Sequence, residues 1–277
     1  MTPTEDIAPS WRTALLPVGA VAATVLVVGA VLVAVDSRTG SGADVPPGAQ
    51  DEVALIETHV SGDADSATDA DPDFDSRPSP EEAAADTHES TAISPQWLDR
   101  IADQTGMPRR ALQGYAQAQL HQNTEQPDCQ VSWPTLAGIG WVESQHGTYA
   151  GGEIGLDGTT TVDIIGVALD GGPGVAAIPD TDDGELDGDT QWDRAVGPMQ
   201  FIPQTWRQWG VSASGGEPDP HHIDDAARSA AGYLCADGRD LTTTDGWWDA
   251  VLSYNDSTAY AQDVLDAATD YAAAVRG

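Results

Sequence analysis

Trp133-Pro134-Thr135-Leu136-Ala137-Gly138-Ile139-Gly140-Trp141-Val142-Glu143-Ser144-Gln145-His146-Gly147 reads as one short, apolar helix with a single acid near its end. Ser132 supplies an N-cap, Pro134 suits the first turn, and Gly147 is positioned to stop the helix. Glu143 follows Leu136 by seven residues and Ile139 by four, so it shares their apolar face. It also lies in the last turn, where the exposed carbonyls carry negative partial charge. Burial and helix end both disfavour the carboxylate and raise its pKa. A glutamic acid held neutral near its working pH is what a general acid requires. The alternative on these residues alone is a structural glutamate bonded to a neighbour at a helix end.

Helix signals continue on both sides. Ser94-Pro95 opens a helix with Trp97, Leu98 and Ile101 on one face, and Met107-Pro108 opens another carrying Leu112, Tyr115, Ala116, Gln119 and Leu120. Pro203 starts a further helix. Asp224 or Asp225 is expected to cap one that runs through Ala227, Ala230, Ala231 and Leu234, with Gly238 past its end. Residues 247–254 and 257–275 complete the set. Residues 148–193 are rich in Gly, Asp and Thr, and β-like runs at 160–165 and 175–178 predict a small hairpin or irregular excursion. The expectation is a mainly α domain over residues 94–277 with a small irregular/β insertion. It contains eight of the nine tryptophans.

The charge is lopsided: 45 Asp and Glu stand against 11 Lys and Arg, a net −34, and every base is arginine. That excludes nucleic acid as a partner, because phosphate recognition needs a basic footprint. It also excludes polybasic docking on anionic lipid. An acidic, lysine-free surface fits a high-salt setting, and a genomic bias towards arginine codons explains it equally well. Residues 13–35 carry no charge over 23 positions, long enough to span a bilayer and longer than a secretory h-region. They predict a single-pass signal anchor after a short cytoplasmic tail at 1–12; cleavage near Ser41-Gly42-Ala43 is the alternative. Residues 36–93 hold 15 acids, two arginines and several prolines, too polar to form a core, and predict a disordered, self-repelling linker.

Two further segments stand out in the domain. Gly197-Pro198-Met199-Gln200-Phe201, followed by Pro203 and Thr205, forms a turn that presents Met199, Gln200 and Phe201 on a loop wall, with the Gln200 amide suited to a sugar hydroxyl or N-acetyl group. Tyr254-Asn255 ends one helix and faces the next, which carries Tyr260. Together with Glu143-Ser144, these segments resemble the lytic transglycosylases in order and rough spacing. The similarity is greatest to the membrane-bound lytic murein transglycosylase B type in its exported actinobacterial form, and it covers essentially residues 94–275.

The resemblance implies a lysozyme-like helical fold and cleavage of the β-1,4 bond between N-acetylmuramic acid and N-acetylglucosamine in peptidoglycan. Glu143 would act first as acid and then as base, so that the muramyl C6 hydroxyl closes onto C1 as a 1,6-anhydro ring. Met199, Gln200, Phe201, Tyr254, Asn255 and Tyr260 would bind substrate or shape its groove. Trp141, Trp192 and Trp206 are candidates to stack on sugar faces, with core roles as the alternative. The partners implied are glycan strands and, through the N-terminal helix, the membrane; no cofactor is called for. A muramidase-type hydrolase and a catalytically silent wall-binding scaffold are the competing functions.

Cys129 and Cys235, the only cysteines, most simply form one disulfide in an exported domain; a catalytic thiol or a metal site are the alternatives. No metal site is expected. The stretch from Asp183 through Glu185, Asp187 and Asp189 looks like half a calcium loop, but Arg194 stands where the twelfth-position acid belongs. The segment 211–220 lacks most of the acids that relatives carry there.

Overall fold

The computed structural model describes residues 93–275, so the predicted tail, membrane helix and all but the last residue of the linker lie outside the described residues. Within the described residues the chain is mainly helical: α1 (Pro95–Thr105), α2 (Arg109–Glu125), α3 (Trp133–Ser144), α4 (Pro203–Trp209), α5 (Ile223–Leu234), α6 (Thr244–Tyr254) and α7 (Thr258–Val275). Two short strands, β1 (Ile165–Ala168) and β2 (Arg194–Val196), pair antiparallel between α3 and α4. None of these helices is long and apolar enough to cross a membrane.

The predicted helix starts hold where proline and serine meet. Ser94 Oγ accepts the Trp97 N–H, and Ser132 Oγ accepts the Thr135 N–H. Helix α3 has no solvated face over most of its length, since every residue from Trp133 to Gly140 is buried. It is the central helix of the bundle. Helix α7 crosses it so tightly that a Cβ at Gly138 would lie 2.7 Å from the Val264 carbonyl oxygen. Helices α2 and α5 also pack on one another, and Gly114 brings α2 against Ile223 and Asp224. Trp97, Tyr115, Trp133, Leu136, Ile139 and Trp247 fill the shared core. The Cys129–Cys235 disulfide is formed; it ties the corner between α2 and α3 to the end of α5 across a sequence separation of 106.

Three local expectations are corrected. Helix α5 is capped by His222, without a side-chain bond, rather than by Asp224 or Asp225. Both aspartates have stronger long-range partners: Asp224 forms a two-pronged pair with Arg110 of α2, each contact 2.6 Å. Asp225 accepts the backbone N–H groups of Ala213 and Asp219 and so closes the 213–219 loop. Secondly, β1 begins where the run 160–165 ends, and its partner is Arg194–Val196. The two β-like runs contribute isolated bridges, Thr160 to Ile154 and Ala177 to Asp170, because Gly and Asp turns interrupt them before a ladder grows. Thirdly, α3 ends at Ser144, before Gly147, with Gln145, His146 and Gly147 all in the left-handed region.

Candidate active site around Glu143

Glu143 projects from the last turn of α3 towards the N-terminal end of α7. Tyr260, in the first turn of α7, donates its hydroxyl to Glu143 Oε1 at 2.6 Å. Burial pushes the Glu143 carboxyl up to about 7, and the Tyr260 hydrogen bond opposes that rise without cancelling it. Burial holds the Tyr260 phenol well above its ordinary value, and so do the charge of Glu143 and the nearby Tyr254. Tyr254 is shifted the same way by the same two kinds of cause. Both phenols therefore remain hydrogen-bond donors throughout the range in which Glu143 titrates.

Ser144, the next residue, connects the acid to the second predicted segment. Its buried Oγ donates to the Pro198 carbonyl at 2.6 Å and accepts the Gly147 N–H at 2.7 Å. The turn from Gly197 to Gln200 is closed by paired bonds between Val196 and Phe201. Tyr254 completes the connection by donating its hydroxyl to the Met199 carbonyl at 2.7 Å. Glu143, the 197–201 turn, Tyr254 and Tyr260 are thus one hydrogen-bonded assembly drawn from α3, the β2–α4 turn, α6 and α7. Its tightest point is Gly197, at φ +78°, where a Cβ would overlap the Pro220 carbonyl oxygen. Gly197→Ala is expected to destabilise the domain by about 2 kcal/mol or more, from backbone strain and overlap together. A denaturant midpoint within error of wild type would contradict that expectation.

The structure redistributes the predicted roles. Met199 is fully buried and contributes its carbonyl to the site, while its side chain lies in the core. Gln200 keeps a half-buried position, yet its amide N–H groups face inward, the shortest bond being 3.0 Å to the Gly197 carbonyl. The side-chain oxygen lies against Gly166 of β1, which has no side chain to obstruct it. Gln200 therefore holds the hairpin against the turn. Phe201 is buried and packs edge-on against Tyr254 and Trp206. Asn255 is buried at the end of α6, and its Oδ1 has no hydrogen-bond partner among the described residues. Of the tryptophans, Trp141 is 46% exposed and offers an open ring face, Trp192 is half-buried, and Trp206 is closed off in the core.

Two features near Glu143 gave no signal of a role in the sequence. Tyr115 read as an ordinary apolar-face residue and His146 as part of a helix stop. In fact both are buried and bonded to each other, and His146 also bonds Tyr271. The acidic excursion also differs in detail from its sequence reading. Asp187 accepts the backbone N–H groups of Asp189 and Arg194, Asp189 accepts those of Gln191 and Trp192, and Asp189 pairs with Arg194 at 2.9 Å. A different trio, Asp180, Asp182 and Asp193, brings one carboxylate oxygen each within 4.8 Å of one another. Both oxygens of the buried Asp193 accept hydrogen bonds from Thr181.

Comparison with protein-family models, with curated proteins and with solved structures gives no match to this chain.

Proposed function

We propose that this chain is a peptidoglycan lytic transglycosylase, held at the outer face of the cell membrane by residues 13–35. The observation that carries the reading is a buried glutamic acid with its pKa near 7, whose shift is set by burial and the Tyr260 hydrogen bond with no charge of a second carboxylate contributing. Glycosidases that use water or a covalent intermediate work with two carboxyl groups flanking the scissile bond. A single acid suits a reaction in which the substrate supplies its own nucleophile.

In that reaction the protonated Glu143 gives its proton to the glycosidic oxygen as the C1–O bond breaks. The resulting carboxylate then takes the proton from the muramyl C6 hydroxyl as its oxygen bonds to C1. The proton count returns to its start, and no water is consumed. Tyr260 steers the carboxyl through Oε1 and leaves Oε2 for the substrate. The exposed ring of Trp141 suits an uncharged sugar face, whereas the unpaired Oδ1 of Asn255 is enclosed and does not open to a sugar in this conformation. With −20 over residues 94–277, from 28 acids and 8 arginines, electrostatic steering cannot draw in an acidic wall polymer. Recognition therefore falls to neutral groups.

Digestion of purified sacculi followed by mass spectrometry tests the reading. 1,6-Anhydromuramyl ends are expected; reducing ends alone would assign the chain to the hydrolases, and no cleavage would leave a scaffold. The pH profile supplies a second test. Glu143 has to start protonated, so kcat/KM should fall as pH rises through about 7. A rate that stays flat from about pH 5 to 9 would remove Glu143 from the acid role.

A further inference from the structure

His146 occupies an unusual position for a residue just past a helix. It is 2% exposed, with its backbone in the left-handed region at φ +60°. Tyr115 of α2 places its hydroxyl 3.2 Å from Nδ1, and Tyr271 of α7 places its hydroxyl 2.8 Å from Nε2. Burial pulls the imidazole down to about 3, so it is neutral across the working range. A neutral imidazole donates from one nitrogen and accepts at the other. The row Tyr–His–Tyr therefore has a single direction, and it bridges α2 to α7 across the end of α3. The titratable groups facing it are those two phenols, with Tyr271 raised to about 12 by burial first and then by the charge of Asp270 beside it; the Trp141 ring covers a further side.

The backbone of His146 is used as well. Its N–H turns back to the Gly140 carbonyl at 2.8 Å, while the Gln145 N–H bonds the Trp141 carbonyl. Gly140 in turn abuts Tyr115: a Cβ there would overlap the phenol oxygen. The same hydroxyl that holds the imidazole thus packs on the helix turn that carries Glu143. A side chain chosen only to fill space would be apolar, because an imidazole buried here requires two partners. Nor does the left-handed backbone favour histidine over glycine.

We propose that His146 is a positioning residue for Glu143: bridged between Tyr115 and Tyr271, it locks the left-handed turn that ends α3, and so fixes Glu143 against Tyr260 and Ser144 against the Pro198 carbonyl. The inference rests on the reading of Glu143 as the acid of glycan cleavage. Its role is distinct from that of the groups that touch substrate, since it acts through the helix end.

His146→Phe keeps an aromatic ring and removes both hydrogen bonds; Tyr271→Phe removes only the bond at Nε2, from a half-buried partner. Two readouts are taken on the full chain: kcat and KM on glycan, and the titration of the Glu143 carboxyl by carbon NMR of glutamate-labelled protein, its resonance identified with Glu143→Gln. Folded His146→Phe is expected to lose about tenfold or more in kcat, with KM changed less than about twofold, as for a misplaced catalytic group. Its carboxyl midpoint should fall by about one pH unit as water reaches the loosened helix end. Tyr271→Phe should move both in the same direction, with about a threefold loss in kcat. If His146→Phe does not fold, Tyr271→Phe decides alone. Wild-type kcat and midpoint in Tyr271→Phe, or in both variants, would overturn the proposal and leave His146 a core residue. The carboxyl titration needs no substrate. A wild-type chain that fails to cut glycan, with the shifted midpoints still seen in the two variants, would sink the proposed function and leave the positioning network standing.

Discussion

Glu143→Gln is expected to lower glycan cleavage by about 10²-fold or more while leaving the fold intact, the usual scale for removing a general acid. The amide keeps the size of the carboxyl and still accepts from Tyr260, so the assembly with Ser144, Pro198 and Tyr254 should survive. It lacks a proton of suitable acidity for the leaving oxygen and the basicity to take one from the C6 hydroxyl. Sacculus clearing by the two proteins side by side, with anhydro-muramyl ends counted by mass spectrometry, reads the effect directly. Equal clearing by both would rule out Glu143 as the acid, and no clearing by either would favour a scaffold.

The same substitution has a stability signature with an independent sign. In the folded chain Glu143 titrates at about 7, against an ordinary value of 4.5. The folded state therefore binds this proton more tightly than the unfolded one. The associated stabilisation is complete below about 4.5 and is lost as pH rises through about 7. Glutamine does not titrate, so the variant should match wild type near pH 4 and exceed it at pH 8 by on the order of 2 kcal/mol, allowing for the site's partial exposure. Denaturant midpoints at the two pH values decide it. A variant less stable than wild type at pH 8 would mean that the ionised carboxyl is well accommodated, contrary to the desolvation that sets its pKa. An enzyme stabilised by losing its acid would show that Glu143 is strained for chemistry and not retained for stability.

The helices were the most legible part of the chain, and for identifiable reasons. Ser94-Pro95 and Ser132-Trp133-Pro134 combine a capping oxygen with a proline in the first turn, a local preference that no long-range contact here opposes. The start of α5 misled, because Asp224 and Asp225 are good caps in isolation but are claimed by Arg110 and by the amides of the 213–219 loop. Such long-range partners have no local trace. The strands were misplaced for a related reason: a four-residue strand among glycines is defined by its partner, and Arg194–Val196 lies far along the chain. Within the candidate site, Glu143 was legible from helical phase, and Tyr254 and Tyr260 only through the order and spacing of the segments that carry them. The inward turn of the Gln200 amide and the burial of Met199 were not. Both follow from the left-handed backbone at Gln200, at φ +48°, and the tight turn at Gly197. His146 was the least legible, since a histidine before a glycine ordinarily marks a solvated helix end.

Replacing Cys129 and Cys235 by alanine should have the largest effect on stability without touching the chemistry. The bridge closes a loop of 106 residues, a length at which the chain-entropy treatment gives about 4–5 kcal/mol and measured losses commonly fall at about 2–5. The structural placement favours the upper part of that range. Both cysteines are buried, and Cys129 also gives its carbonyl to the Leu241 N–H, so the bridge gathers the α2–α3 corner, the end of α5 and the segment leading to α6. Helix α3 begins four residues after Cys129, and its other end carries Glu143. The pair of substitutions should lower the melting temperature by roughly 10 °C or more. Activity per folded molecule, measured well below that transition, should stay within about twofold of wild type, because the Tyr260, Ser144 and Tyr254 hydrogen bonds involve neither cysteine. Thermal melts under oxidising and reducing conditions, each followed by the glycan assay at low temperature, separate the two quantities. A melting temperature unchanged by the substitutions would mean that packing of α2 on α5 already restrains the loop. Activity lost in a fully folded variant would mean that the bridge sets the register of α3, and with it the reach of Glu143.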